Sequence, residues 1–594
     1  MAEDSRLRIA IIDKDLCINE QGCNFICGGV CPVNRTGKDC IILDEDKRPI
    51  ISEELCIACM ICTKKCPVKC IDIINLVHEL KEPIHQYGIN SFRLYRLPLP
   101  REGKVVGLIG GNALGKSTAL RILSGKQIPN LGDYENKATM EKVIEFFRGK
   151  EMQSVFEGIK SGEMKVSFKP QNVDEIPSIQ KGKVEVLLKK VDERKKMKEI
   201  TESLNISSVL DHELGELSGG ELQRVAIAAC ILKDALVYAL DEPTTYLDVS
   251  ERLNMAKVLR ALADEGKSVI VIEHDLAVLD YLSDYVHILF GKKGAYGIIS
   301  SPKTVKAGIN EFLQGFISNE NLRFRDKELK FETKPPTSEV KSRTMLEYPK
   351  LEKKFPAFSL STDSGKLMES EVVGILGPNA IGKTTFVKLL AGIERPDNTE
   401  LNWKHRVSYK PQYIVPEKGI TVEELFGRHK IAKELFRNEV DRRLKITELN
   451  EKKVDELSGG ELQRVAVSLA LCQECDFYLL DEPSAFIDVE DRLKVADAIR
   501  SVTNVTKSPA LVVDHDILFQ DYVSNRIIVF EGEQSKIGHA LSPQSMHNGM
   551  NLFLKNIGIT YRRDGQTGRP RANKIGSQMD QKQKSKNEYY YTSD

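Results

Sequence analysis

Val105-Val106-Gly107-Leu108-Ile109-Gly110-Gly111-Asn112-Ala113-Leu114-Gly115-Lys116-Ser117 is the stretch that decides the fold. The short apolar run at its start reads as a buried strand. Gly110 to Ser117 then fit G-x-x-x-x-G-K-[ST], and a helical segment follows. That strand–loop–helix context is what a phosphate-binding loop requires. Backbone N–H groups wrap the phosphates, the lysine reaches the outer ones, and the hydroxyl holds Mg²⁺. The pattern returns in the second half of the chain, where Val372-Val373-Gly374-Ile375-Leu376 leads into Gly377-Pro378-Asn379-Ala380-Ile381-Gly382-Lys383-Thr384. Two matches in context point to two nucleoside triphosphate sites.

Other motifs repeat with them. Leu217-Ser218-Gly219-Gly220-Glu221-Leu222-Gln223-Arg224 recurs as Leu457-Ser458-Gly459-Gly460-Glu461-Leu462-Gln463-Arg464. Asp241-Glu242-Pro243 matches Asp481-Glu482-Pro483, and Lys169-Pro170-Gln171 matches Lys410-Pro411-Gln412. Asp248 matches Asp488, and His274 matches His515. The set resembles the ATP-binding cassette ATPases and covers two cassettes. The doubled signature is far more specific than a phosphate loop alone.

Composition narrows the class. Lys+Arg and Asp+Glu are both 86 in 594 residues, so any nucleic-acid contact has to come from local patches. No window approaches 18 consecutive apolar residues, and no signal-peptide core opens the chain, so a cytosolic protein is expected. Ten of the 13 cysteines fall in residues 17–70. In a cytosolic protein that clustering suggests metal rather than disulfides. Cys230, Cys472 and Cys475 read as apolar cassette residues.

Cys56-x2-Cys59-x2-Cys62-x3-Cys66-Pro67 is the bacterial ferredoxin run, whose fourth cysteine serves the other cluster. Cys17-x5-Cys23-x3-Cys27-x3-Cys31-Pro32 ends the same way after longer opening gaps. Two [4Fe–4S] clusters are therefore expected. One takes Cys17, Cys23, Cys27 and Cys66; the other takes Cys56, Cys59, Cys62 and Cys31. Cys40 and Cys70 fit neither run. Tetrahedral zinc also takes C-x2-C pairs, but the paired Cys-Pro endings match ferredoxin better.

A ferredoxin-like unit fused to two cassettes resembles subfamily E of the ATP-binding cassette proteins, the ribosome recycling factors also called RNase L inhibitor. Tyr87-Gly88 through Arg96-Leu97-Pro98-Leu99-Pro100, Gly125-Lys126-Gln127, Glu273-His274-Asp275-Leu276 and Asn321-Leu322-Arg323-Phe324-Arg325-Asp326 share in the likeness. Two departures are the long first cysteine gap and Asp514 where Glu is usual. The resemblance implies an α/β fold of two P-loop cassettes set head to tail, with two ATPs between them. Site one would take Gly110, Asn112, Gly115, Lys116, Ser117, Thr118 and Gln171, with Ser458, Gly459 and Gly460 opposite. Site two would take Gly377, Asn379, Gly382, Lys383, Thr384, Thr385 and Gln412, with Ser218, Gly219 and Gly220 opposite. Mg²⁺ would sit on Ser117, Gln171 and Asp241, and on Thr384, Gln412 and Asp481. Glu242 and Glu482 would polarise water, and His274 and His515 would contact the γ-phosphate. Tyr87 and Phe92 are candidates to stack on adenine.

The same resemblance implies ATP-driven ribosome splitting after termination, with links to initiation and ribosome biogenesis. The implied partners are the small subunit, a termination or recycling release factor and initiation factors. A monomer with paired cassettes is expected, in the cytoplasm and, in a eukaryote, also the nucleus. A transporter ATPase would leave the cysteine unit unexplained. A redox enzyme would need an acceptor site, and a chromosome-type ATPase would need long heptad runs.

The repeat exposes an insertion. The interval from Lys116 to Gln171 is nearly twice the matching interval from Lys383 to Gln412, whereas the spacings beyond that agree within one residue. Met140, Val143, Ile144 and Phe147, then Met152, Val155, Phe156 and Ile159, predict two amphipathic helices around Gly149. They either pack on their own cassette or, as the resemblance implies, contact the ribosome, with Arg148, Lys150 and Lys160 as candidate phosphate contacts. The expected organisation is a ferredoxin-like unit at 1–78 and a first cassette at 79–326 with the insertion at about 138–161. A connection at 327–348, a second cassette at 349–555 and a C-terminal hinge and basic tail at 556–594 follow. Arg562-Arg563 and Arg569-Pro570-Arg571 resemble the family's hinge, and 582–594 is expected to lack fixed structure.

Overall fold

The computed structural model describes residues 7–590, apart from 15, 20–21, 77–81, 137, 330, 332–342, 401–404 and 413. Much of the expected inter-cassette connection therefore lies outside the described residues.

Two nine-stranded sheets form the body. The first runs His85–Gln86, Arg93–Tyr95, Tyr296–Ile299, Tyr285–Lys292, Val105–Gly110, Ser268–Ile272, Val237–Asp241 and Val166–Lys169, with Lys303–Thr304 added on Tyr285–Lys292. The second repeats the order: Leu351–Lys354, Ser359–Thr362, Ile537–Ala540, Arg526–Glu533, Val372–Leu376, Ala510–Val513, Phe477–Asp481 and Val407–Lys410, plus Gln544–Ser545. The sheet centres are parallel, with Val106 beside Ile270 and Asp241 beside Ile272. Every residue of Val105–Gly110 and Val237–Asp241 is buried, as continuous apolar runs covered on both faces must be.

Three cores serve the first cassette. One surrounds the helix Lys116–Leu123. A second, on the other face of the sheet, packs Ile109, Ile288 and Phe290 against Leu279 and Phe312. The third joins the helices Val184–Val191, Met197–Ser203 and Gly219–Ile231 into a helical lobe. That lobe carries the signature.

The cysteine-rich part is held by the antiparallel pair Leu7–Ile12 and Ile71–Leu76. It docks on the first cassette through Asn90, which is buried. Asn90 Nδ2 donates to Ala10 O at 3.0 Å and Ile51 O at 3.1 Å, and its Oδ1 accepts Ile51 N–H at 2.9 Å. Arg93 pairs with Glu53 at 2.8 Å beside it.

The insertion forms the helices Met140–Phe146 and Met152–Ser161, and Gly149 between them has φ 76°. Val143, Phe147, Met152, Val155 and Phe156 are buried in the same core as Leu120 and Leu123. The apolar stripes thus face their own cassette. Arg148, Lys150 and Lys160 remain exposed, although Lys160 pairs with Glu141 at 2.6 Å and Lys150 lies 5.0 Å over the Phe146 ring.

The C-terminus departs from the expectation of disorder. Gln578–Ser585 is a helix capped by Ser577, and Tyr590 is buried. The stretch has no apolar periodicity because polar pairs hold it: Thr560 Oγ1 donates to Asp580 at 2.7 Å, and Gln583 Nε2 donates to Tyr561 O at 2.9 Å. Such tertiary bonds leave no mark on local patterning. Residues 591–594 lie outside the described residues.

Candidate active sites

Each phosphate loop leaves a buried strand and turns into a helix through a left-handed glycine. Gly115 has φ 91° and Gly382 has φ 101°, a region open to glycine at little cost. A Cβ on Gly115 would lie 2.8 Å from Phe92, and one on Gly382 would lie 2.9 Å from Phe358. An aromatic ring therefore rests on each loop. Lys116 Nζ donates to Gly110 O and Gly111 O, both at 2.9 Å; Lys383 Nζ donates to Gly377 O at 2.8 Å and Pro378 O at 2.5 Å. Burial lowers Lys383 to about 8, against the pull of Asp248 and Glu482.

Asp241 and Asp481 end the neighbouring strands. Thr384 Oγ1 donates to Asp481 Oδ2 at 2.9 Å, and Ser117 stands in the matching place beside Asp241. Asp241 Oδ1 and Asp481 Oδ1 are buried without a partner. Burial, with the adjacent glutamate adding to it, pushes both carboxyls up to about 6. A buried carboxylate with one free oxygen beside a hydroxyl is a fitting place for a hard divalent cation.

Glu242 and Glu482 have φ 46° and 49°, rare for residues other than glycine. Neighbours fix that conformation. Gln223 Nε2 donates to Glu242 O at 2.8 Å, and Lys169 Nζ donates to Asp241 O at 3.0 Å. Gln171 Nε2 donates to Glu242 Oε1 at 2.9 Å, and His274 Nε2 lies 3.3 Å from that oxygen. The second cassette repeats this with Gln412 at 2.8 Å and His515 at 3.5 Å from Glu482 Oε1. Burial works to raise Glu242, but His274 and then Lys116 outweigh it and hold the carboxyl down at about 2. It is therefore a carboxylate, able to accept a proton bond from water.

The signature is a helix start. Ser218 and Ser458 each form a capping box with Glu221 and Glu461, so Gly219 and Gly459 lie in first turns whose N–H groups face outward. These starts point at the opposite cassette. One cavity of about 660 Å³ is lined by Ser218, Gly219 and Gly220 of the first cassette and by Gly382, Lys383, Thr384, Thr385, Gln412, Asp481, Glu482 and His515 of the second. At the other junction a Cβ on Gly460 would lie 3.9 Å from Asn112 Nδ2. Asn112 N–H donates across to Asp488 Oδ2 at 3.1 Å, and Asn379 N–H to Asp248 Oδ2 at 2.8 Å.

The N-terminal unit gathers its thiols in two places. Cys17, Cys23, Cys27 and Cys66 line one small cavity with Cys70. Cys31, Cys56 and Cys62 lie near Cys40. Burial, then the neighbours Cys23, Cys17 and Cys62, push Cys27 up to about 12; burial, then Cys56, push Cys62 up to about 11. Crowded thiols ionise readily only beside a cation, so this donor set fits iron–sulfur. Among the described residues no three of them already stand in the geometry of a single metal ion.

The family model described as "ABC transporter" matches residues 100–245 and 360–485. "ABC transporter E family member 1" of Arabidopsis thaliana is 45% identical over 100% of both chains. "Translation initiation factor RLI1" of Saccharomyces cerevisiae is 44% identical over 99% of both. A solved structure described as "Model of ribosome-bound archaeal Pelota and ABCE1" superposes with a TM-score of 0.94 at 50% identity, covering 99% of each chain.

The chain belongs to the E family of ATP-binding cassette proteins.

As an E-family protein it binds and hydrolyses ATP. Among the described residues no helix is long and apolar enough to cross a membrane. Tyr87 is 51% exposed and shares a hydrogen bond with Thr118 Oγ1 at 2.9 Å, whereas Phe92 covers Gly115. Phe358, the second cassette's counterpart of Phe92, stands in no motif of the sequence. The interval from Phe358 to Lys383 matches that from Phe92 to Lys116 to within a single position, so the repeat spacing contained the signal. Asp248 and Asp488 were legible as repeat matches, but their reach to the opposite loop was not. Tyr246 and Phe486, whose rings meet edge to face at 5.7 Å across the interface, carried no motif at all.

Proposed function

We propose that this chain is an iron–sulfur ATPase whose cassettes close on two ATPs and thereby split ribosomes into subunits after termination. The observation that carries the ATP half is the cavity shared by the Ser218-Gly219-Gly220 helix start and the Lys383 loop. An ATP there meets both cassettes, and only its γ-phosphate reaches the far one. ATP thus favours the closed state by differential affinity, and hydrolysis removes that preference. The ribosome half rests on likeness to chains described as ribosome-bound and as translation factors.

Mg²⁺ would be held by Ser117, Gln171 and Asp241 at site one and by Thr384, Gln412 and Asp481 at site two. When bound it supplies positive charge against the phosphates. Glu242 and Glu482 orient and polarise the attacking water. His274 and His515, buried and lowered in basicity, contact the γ-phosphate. Lys116, Lys383 and the N–H groups of both loops hold the phosphates. Most of the rate comes from positioning and charge neutralisation.

The two cysteine quartets would hold two [4Fe–4S] clusters, and with both bound the thiols of the two runs would be tied together into one stiff N-terminal unit. Through Asn90 and Arg93 that body follows the first cassette as it moves. Partners in this reading are the small subunit, a release factor and initiation factors, in the cytoplasm. A light-scattering assay of post-termination ribosomes with ATP tests it. ATP-dependent loss of whole-ribosome particles is expected; unchanged scattering with hydrolysis proceeding overturns the ribosome reading.

A further inference from the structure

One cation crosses between the cassettes at the first ATP site. Lys293 stands two residues past Gly291, in the turn between Tyr285–Lys292 and Tyr296–Ile299. Its Nζ lies 2.9 Å from Asp488 Oδ2 and 3.1 Å from Asp491 Oδ2, both on the second cassette. The same Asp488 oxygen accepts the Asn112 N–H of the first phosphate loop. The Asp488 side chain is only 3% exposed, so its charge needs a partner, and Lys293 meets it there. Asp491 is shared with Lys494 of its own helix.

Among the described residues no cation makes the matching bridge at the second site. The matching turn position, two residues past Gly532, is Gln534. Glu251, the counterpart of Asp491, pairs with Arg224 of its own cassette, and what reaches it from the second phosphate loop is the neutral Asn379 Nδ2 at 3.4 Å. The phosphate loops differ in step. A Cβ on Gly111 would lie 3.2 Å from Lys293 Cε and 3.6 Å from Asp488 Oδ2, and the residue matching Gly111 is Pro378. The first loop leaves room where the lysine passes; the second loop fills that place with a ring.

We infer that Lys293 is a positioning residue that holds the first ATP site closed by bridging its phosphate loop to Asp488 and Asp491 of the opposite cassette. The bridge slows opening of site one and leaves site two untouched. It rests on the two-site reading above.

The test follows release of a fluorescent, non-hydrolysable ATP analogue from the full chain by stopped flow, after titration to find how many are bound. Two bound analogues and two release phases are expected. Lys293→Gln should speed one phase roughly threefold, the scale of a partly exposed ion pair, and leave the other unchanged. Lys293→Arg should keep the parent rates. Raising salt from about 0.05 to about 0.5 M should speed that phase in the parent and not in Lys293→Gln. Unchanged phases in Lys293→Gln, equal speeding of both, or an Arg variant that behaves like Gln would each overturn the inference with the two-site reading intact. A single bound analogue per chain would overturn both.

Discussion

Arg569 donates from Nη1 to Asp280 Oδ2 at 2.9 Å, tying the C-terminal hairpin to a helix of the first cassette 289 residues earlier. Arg571 takes both oxygens of the same carboxylate, at 2.6 and 2.8 Å. From the other strand Arg563 takes both oxygens of Asp521, each at 2.7 Å. Asp280 and Asp521 hold the same place in the repeat, at equal distances past His274 and His515. One hairpin therefore grips the same point of both cassettes.

Arg569→Ala should destabilise the chain by about 3 kcal/mol, because Arg569 is fully buried and its loss leaves part of a buried carboxylate pair uncompensated. Denaturant unfolding measures this. A change below about 0.5 kcal/mol, the scale of ordinary surface substitutions, would mean that Arg571 alone satisfies Asp280.

Glu242→Gln with Glu482→Gln should cut hydrolysis by roughly a hundredfold or more while ATP stays bound. Both glutamates are carboxylates held toward the loop by Gln171 and His274, or by Gln412 and His515. Steady-state phosphate release is the readout. Parent-like turnover in the double variant would remove these residues from the water-activating role.

Arg148→Glu with Lys150→Glu should leave ATP hydrolysis intact and weaken ribosome binding, with a shallower salt dependence. Both side chains are exposed on the outer turn of the insertion, while its apolar face is sealed in the cassette core. Removing the whole insertion is a poorer experiment, since it strips cover from Leu120 and Leu123. Co-sedimentation at several salt concentrations decides; an unchanged curve assigns the insertion a purely structural role.

Cys62→Ser should lower iron by more than one atom per chain, spare most basal hydrolysis and abolish splitting. Cys62 is buried near Cys56 and Cys31, and in the crossed assignment Cys31 and Cys66 each serve the quartet of the other run, so its loss should reach both. Cys59→Ser, at an exposed thiol, should act in the same direction with a smaller cost to folding. Zinc in place of iron in the parent protein would displace the cluster assignment. A splitting-competent Cys62→Ser would displace the idea that the N-terminal unit transmits force.

Sequence alone settled what local chemistry specifies. Gly110 to Ser117 and Gly377 to Thr384 are legible as phosphate loops, the doubled Leu-Ser-Gly-Gly-Glu run as a signature, and the apolar runs before each loop as buried strands. These constraints act over short stretches of chain, so a motif records them. The doubled spacing also exposed the insertion, because two copies of one fold must keep the same chain lengths between fixed points. Tertiary structure alone decided what depends on residues far apart. Asp248 and Asp488 stand in the chain only as repeat matches; in the structure each caps a helix and also spans to the other cassette's loop. The tail reads as solvated because its apolar content is low, yet Asp580, Gln583 and Tyr590 find buried partners in distant parts of the chain, Thr560, Tyr561 and Asp521. Lys293 reads as one of two lysines in a turn; only the approach of the second cassette sets Asp488 within its reach.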